Sequence, residues 1–385
     1  MLQNTVTVFI TIFAVLLAIN YNWFYETYII FGYNQPNIKP YENGKCRKIE
    51  DVGACEDIHI HHRTGHAFMA CGTKYGRTLG YWPPLDAFNT SQQIRDPAYI
   101  YDINEDKLIP LVLKNFPPEE DFISHGLGIY EDPKNENKLY LFFVNHKRSG
   151  SCFEVFEHTL HTNELIHLET IQHELINTPN DIVPVSRHEF YFTNDRYNKD
   201  PSWKKTAEVL LRLSWSNVVF HSSITNETKI VADGLQFPNG INTNWDHSLI
   251  YVATVMGGSV LVYERNKDNN ELKLKDKIFT GHAIDNISVD DVTGELYCGI
   301  FQKPLMFLAY KDDRTGTAPL PPAGILKIGN NTEGDSVKYS QKVIFEDDGT
   351  FYHSSTIGAV DRKRNVLLIG SCIVEGILRC DSLEP

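Results

Sequence analysis

An all-β fold, a six-bladed β-propeller behind an apolar N-terminal segment, is what this sequence predicts. Three observations predict it. From Cys46 onward the chain breaks into short strand-like runs bounded by Gly, Pro, Asn and Asp, with no long helical period. One layout recurs six times, roughly every 45 to 70 residues. Cys46 and Cys380 lie near opposite ends of the folded region, where a disulfide would suit closure of a ring.

The elements follow in order. Residues 6–19 (VTVFITIFAVLLAI) are nearly continuous apolar sequence, extended by apolar and aromatic residues up to position 31. The run is short for a membrane span, and no Lys or Arg precedes it. Residues 1–33 are therefore expected to be a signal-anchor or an uncleaved signal peptide, contacting a membrane or lipid surface. A buried first strand is the alternative. Residues 34–45, with Pro36 and Pro40, read as a linker, and residues 46–385 as the propeller. Sequons at Asn89, Asn226 and Asn330 favour the secretory pathway, membrane-anchored or secreted; a fourth, at Asn286, is expected to be buried. The net charge of -13 argues against nucleic acid. None of the 7 cysteines forms a CxxC pair, and an odd count leaves at least one thiol free or pairing between chains. The partners of Cys55, Cys71, Cys152, Cys298 and Cys372 stay open, as does the oligomeric state.

Strand-like runs include 139–145 (LYLFFVN), 189–193 (EFYFT), 249–254 (LIYVAT) and 366–369 (VLLI). Residues 203–216 form the one plausible helix or long insertion. In the recurring layout a polar group precedes small or apolar residues, a turn and then a strand. The copies begin Cys55-Glu56-Asp57, Ser124-His125-Gly126, Pro179-Asn180-Asp181, Pro238-Asn239-Gly240, Asp285-Asn286-Ile287 and His353-Ser354-Ser355. In a propeller the innermost strands line a central channel, so Glu56, His125, Asn180, Asn239, Asp285, Asn286 and Ser354 converge on one end of it.

Glu56, Asn180, Asn239, Asp285 and Asn286 offer hard oxygens, a set that matches calcium, while zinc would want nitrogen or sulfur. Successive residues of an extended segment face opposite sides. Asp57 and Asp181 are thus placed for a second calcium deeper in the channel, completed by the Leu127 backbone carbonyl. Ordinary Asx turns explain one such residue but not five in one register. His125 stands in the ligand register without being an oxygen donor, and His146 ends the next strand. One histidine can serve as general base on water while the other orients it; the competing reading makes both hydrogen-bonding core residues. His59, His61, His62 and His66 are expected on a solvated surface. No GxSxG elbow, P-loop or HExxH is present.

These residues resemble the paraoxonase (serum paraoxonase/arylesterase) family. Residues 231–262 (VADGLQFPNGINTNWDHSLIYVATVMGGSVLV) and Asp285-Asn286-Ile287-Ser288-Val289-Asp290 carry the likeness, with Cys55-Glu56-Asp57, Ser124-His125-Gly126, Val144-Asn145-His146 and Asn180-Asp181-Ile182-Val183. The resemblance implies two calcium ions and hydrolysis of lactones and, less selectively, aryl esters and phosphotriesters. It implies a catalytic calcium on Glu56, Asn180, Asn239, Asp285 and Asn286, and a structural one on Asp57, Asp181 and Leu127. It implies a His125–His146 dyad, a Cys46–Cys380 disulfide, and Tyr75, Asp195 and Phe237 lining the site. The chain departs from the pattern at Ile300-Phe301, where the family often carries Cys-His, within the lid at residues 196–216, and in a loop elaboration at 315–322. Two rivals stand beside this reading: a sugar-lactonase or strictosidine-synthase-like propeller, and a non-catalytic calcium-stabilised binding propeller.

Overall fold

The computed structural model describes residues 15, 18, 20–35, 37–313, 316–330 and 338–382. Most of the apolar run 6–19, and the sequon continuing from Asn330, lie outside the described residues. The rest is almost entirely antiparallel β-structure with four short helices: α1 (Tyr21–Ile30), α2 (Lys74–Thr78), α3 (Trp203–Leu210) and α4 (Pro304–Asp312). Sequence reasoning missed α4; Pro304 at its first turn is the signal that marks it.

The strands form three four-stranded sheets and one eleven-stranded sheet, beside a two-stranded ribbon. The large sheet exists because strand Cys46–His61 serves twice. Its first part pairs with the C-terminal strand, Cys46 opposite Cys380, and its last part with His66–Gly72. A parallel pairing of Glu164–Ile171 with Lys107–Lys114 joins the next group. The first segments of these groups pack side by side around one axis: the end of Cys46–His61, then Ser124–Glu131, Pro179–Ser186, Pro238–Thr243, Ala283–Val289 and Ser355–Asp361, which returns to the first. This is a β-propeller, closed by the Cys46–Cys380 disulfide across a sequence separation of 334. Cys55 and Cys71 form a second disulfide on paired strands; Cys152, Cys298 and Cys372 are free and buried.

The core lies between neighbouring sheets. Phe142 and Phe153 of one group interleave with Phe190 and Phe192 of the next; Tyr297 and Ile325 meet Leu367 and Leu378. A middle strand is therefore covered on both faces, which is why 139–145 reads LYLFFVN instead of alternating.

That covering also overturns one expectation. His61 and His66 are buried, not solvated: His61 lies 3.4 Å from Glu131, and His66 lies 3.6 Å from Asp102. His59 is half-buried, 3.3 Å from Asp57. The two paired strands carrying them are roofed by their neighbours, a contact that local sequence does not reveal.

Candidate functional site

Each of the six inner strands carries a register shift, near the start of the strand in five and in the second half of Cys46–His61, where its inner segment begins. The shifts fall between Cys55 and Asp57, Ser124 and Leu127, Pro179 and Ile182, Pro238 and Ile241, Ile284 and Ile287, and Ser355 and Ile357. A β-bulge breaks the pleat and re-aims the side chains it contains. Six bulges at one level thus turn Glu56, His125, Asn180, Asn239, Asp285 and Thr356 toward the axis together. In the last strand the bulge residue is Thr356, not Ser354; its hydroxyl donates to the Glu56 carbonyl at 2.7 Å. Two glycines permit the close approach. A Cβ on Gly126 would meet the Asn180 carbonyl at 2.6 Å, and one on Gly240 would meet Asn286 Cα at 2.6 Å.

Above this level is a cavity of about 310 Å³. Glu56, His125, Asn180, Asn239 and Asp285 form its floor. Val209 and Leu210 of α3, Phe307 and Leu308 of α4, and Met256 and Phe301 form much of an apolar wall. Ser202 caps α3 by accepting from the Lys205 N–H at 3.3 Å. Lys205 pairs with Asp86 at the rim. The N-terminal helix packs behind the wall through Ile30, against Val255, Met256 and Ala283. Buried Arg212 ties it there, donating to the Met256 carbonyl at 2.6 Å and to Glu26 at 2.7 Å.

Among the expected wall residues, Asp195 and Phe237 line the cavity, whereas Tyr75 is exposed on α2 and off its lining. Sequence reasoning missed Trp82, the α4 residues and the free Cys372, all on the wall. Asn89 and Asn226 are exposed, while Asn286 is fully buried.

Whether this floor suits a cation is decided by its unpaired oxygens. Glu56 Oε2, Asn180 Oδ1, Asn239 Oδ1 and Asn286 Oδ1 are buried and have no hydrogen-bond partner. The Asn286 amide is turned by its own donor, which gives hydrogen bonds to Glu56 Oε1 (2.6 Å) and to the Glu56 carbonyl (3.1 Å). Four orphaned acceptors in one place are costly unless something positive meets them. Burial, then the neighbouring carboxylates Asp285 and Asp57, pushes Glu56 well above its ordinary range; burial and Asp57 do the same to Asp285. An all-oxygen set of carboxylates and amides fits a hard cation such as calcium.

Beneath the floor, Asp57, His59 and Asp181 bring potential ligand atoms within 4.8 Å of one another. Both carboxylates are also held by backbone donors: Ile58 and Leu127 to Asp57, Ile182 and Ile241 to Asp181. It is the Leu127 N–H, at 3.0 Å, that reaches Asp57.

His125 and His146 are buried and joined, Nδ1 to Nε2, at 2.9 Å; His146 Nδ1 lies 2.9 Å from Ser151 Oγ. Burial, then His146, holds His125 well below the usual imidazole range. Burial with Arg77 and Arg196 brings His146 down to about 3. Both shifts favour the neutral ring, in which one nitrogen donates and the other accepts, so one of the two facing nitrogens carries the shared hydrogen. His146 and Ser151 line a second, polar cavity that shares Asp195 and Arg196 with the first.

The arylesterase family profile matches residues 37–382. The chain belongs to the arylesterase (paraoxonase) family. Relatives in the family include human serum paraoxonase/arylesterase 1, 32% identical over 339 residues, covering 87% of this chain and 88% of the relative. Mouse serum paraoxonase/lactonase 3 is 31% identical over 347 residues, covering 89% and 90%. Membership makes this chain an esterase/lactonase enzyme. Among solved structures, a luciferin-regenerating enzyme shares the fold, with a TM-score of 0.50 and 12% identity over 88% of this chain and 95% of that one.

Proposed function

We propose that this enzyme hydrolyses lactones and aryl esters at the channel mouth with the help of calcium held by Glu56, Asn180, Asn239, Asp285 and Asn286. The observation that carries the reading is the set of four buried, unpartnered oxygens, three on the cavity floor and the fourth on Asn286, which is hydrogen-bonded to Glu56. Calcium, when bound, supplies a Lewis acid for the substrate carbonyl. Two ions are proposed, the second on Asp57 and Asp181 beneath the first.

The chain's own residues do the rest. The apolar wall of Phe301, Phe307 and Met256 removes the organic part of the ester from water. His125 Nε2 stands 3.7 Å from Glu56 Oε1, at the edge of the ligand set, where it can take a proton from an attacking water. His146 accepts at the Nδ1 face of His125, and Ser151 holds the far nitrogen of His146. The proton therefore has a path toward the second cavity, away from the reacting carbonyl.

The N-terminal helix supports contact with a lipid surface. Tyr21, Phe24, Tyr25 and Tyr28 are exposed on it, the kind of aromatic face that suits the headgroup level of a membrane. No helix among the described residues is long and apolar enough to cross a membrane. Relatives named as serum proteins accord with a secreted route for this chain.

The test is a panel of γ-lactones and aryl acetates with and without EDTA, on the native enzyme and on His125→Gln. Calcium-restored turnover that falls at least 100-fold in His125→Gln is expected. Turnover that persists in chelator would remove the metal from the mechanism.

A further inference from the structure

Arg77 on α2 is buried, with 1% of its surface exposed. Burying a guanidinium is costly unless it is paired and hydrogen-bonded. Arg77 is paired only in part: Nη2 lies 3.6 Å from Asp96, Nη1 donates to the Ser124 carbonyl at 2.5 Å, and Nε and Nη2 have no hydrogen-bond acceptor. Burial pushes the Asp96 carboxyl up to about 6 even with Arg77 beside it. A buried cation kept this incompletely satisfied calls for an explanation beyond stability.

The geometry points to one. Asp96 accepts the Ser124 N–H at 3.0 Å, while Arg77 takes the Ser124 carbonyl. One buried ion pair therefore holds both backbone polar groups of Ser124, and the Ser124 hydroxyl donates to the Cys71 carbonyl at 3.3 Å. The next residue is His125. From the other side the Arg77 guanidinium lies over the Trp82 ring, 4.3 Å from its centre, and the Trp82 and His125 rings meet at a steep angle with their centres 4.8 Å apart. The remaining face of Arg77 rests on Gly72, where a Cβ would meet Nε at 2.7 Å. The bulge that turns His125 inward starts at Ser124, so the clamp acts where the imidazole's direction is set.

We propose that Arg77, paired with Asp96, is a positioning residue for His125: it fixes the imidazole through the Ser124 backbone on one side and through Trp82 on the other. This rests on the reading of His125 as the proton acceptor. A planar, charged group is needed for both tasks at once, because Lys cannot lie flat on the Trp82 ring while donating to the Ser124 carbonyl.

The test uses the full enzyme with calcium and an aryl acetate. Arg77→Met leaves Asp96 unpaired and can fail to fold, so Arg77→Met/Asp96→Asn, which removes both charges at similar volume, is made beside it. The expected result is a kcat about 100-fold lower with KM and calcium affinity unchanged, from an ångström-scale displacement of the base. Arg77→Lys recovers little. In a His125→Gln background the same pair of substitutions has no further effect, which a merely structural role would not produce. Losses that add to those of His125→Gln, or a weakened calcium affinity, overturn the proposal. If His125→Gln removes turnover and the paired variant matches the native enzyme, the clamp alone is refuted. If His125→Gln is itself fully active, the proton-acceptor reading falls and takes the clamp with it.

Discussion

Asp285→Ala isolates what the floor of the cavity is for. In the absence of a cation, four buried oxygens lack partners: Glu56 Oε2, Asn180 Oδ1, Asn239 Oδ1 and Asn286 Oδ1. At about 1–3 kcal/mol for each buried unsatisfied group, the cost reaches roughly 4–12 kcal/mol. A folded domain has only about 5–15 kcal/mol in hand. Calcium at 1,000 times its dissociation constant restores about 4 kcal/mol by mass action. Asp285 presses on Glu56 as a like charge, so removing it eases the metal-free state while taking a ligand from the loaded one. The native enzyme is therefore expected to lose several degrees of Tm in EDTA and regain them with calcium, and Asp285→Ala to show a much smaller difference and no hydrolysis. Differential scanning fluorimetry with calcium titration calorimetry reads both. A variant with the native chelator response and native affinity would refute the assignment of these oxygens to a cation.

Other expectations follow from the same geometry. Gly240→Ala places a Cβ 2.6 Å from Asn286 Cα and 2.8 Å from the Asp285 carbonyl; backbone cannot yield as a side chain can, so a loss of several kcal/mol and of calcium affinity is expected in urea titrations, and a neutral outcome would mean the inner strands pack more loosely. Burial, helped by His173, lowers His221 to about 4, so the fold holds it neutral while the unfolded chain binds a proton near 6.5. Its contribution, at most about 3 kcal/mol, is whole above pH 6.5 and drains away as the pH falls toward 4; denaturation midpoints at pH 7 and 4.5 should differ, and differ less in His221→Gln. Paired Cys46→Ser and Cys380→Ser substitution opens the ring. The loop-entropy estimate for so long a closure is roughly 5–6 kcal/mol, and an unchanged midpoint would show that sheet pairing alone closes the propeller.

How far the site was legible differs from residue to residue. Asn180, Asn239 and Asp285 were visible because each begins a copy of a repeated layout, and repetition is a property of sequence. Thr356 was misplaced by two positions, as Ser354, because the bulge that selects it is a pairing event between two strands. His61 and His66 look solvated in the sequence because their cover is Glu131 and Asp102, which come from other strands. The Leu127 N–H that holds Asp57 leaves no mark on the sequence, because it joins segments 70 residues apart. Helix α4 and its Phe307 leave little trace in the sequence, because nine residues barely show a helical period.

By itself, the sequence determined the all-β character, the repeated inner strands and the oxygen-rich residues at their starts, since these depend on local pattern and on residue chemistry. The tertiary structure decided which of those oxygens are left without partners and which cysteines pair. It also decided that a guanidinium at position 77 would grip the carbonyl at position 124. Those outcomes rest on distances between segments far apart in the chain, which arise only when the ring of sheets has closed.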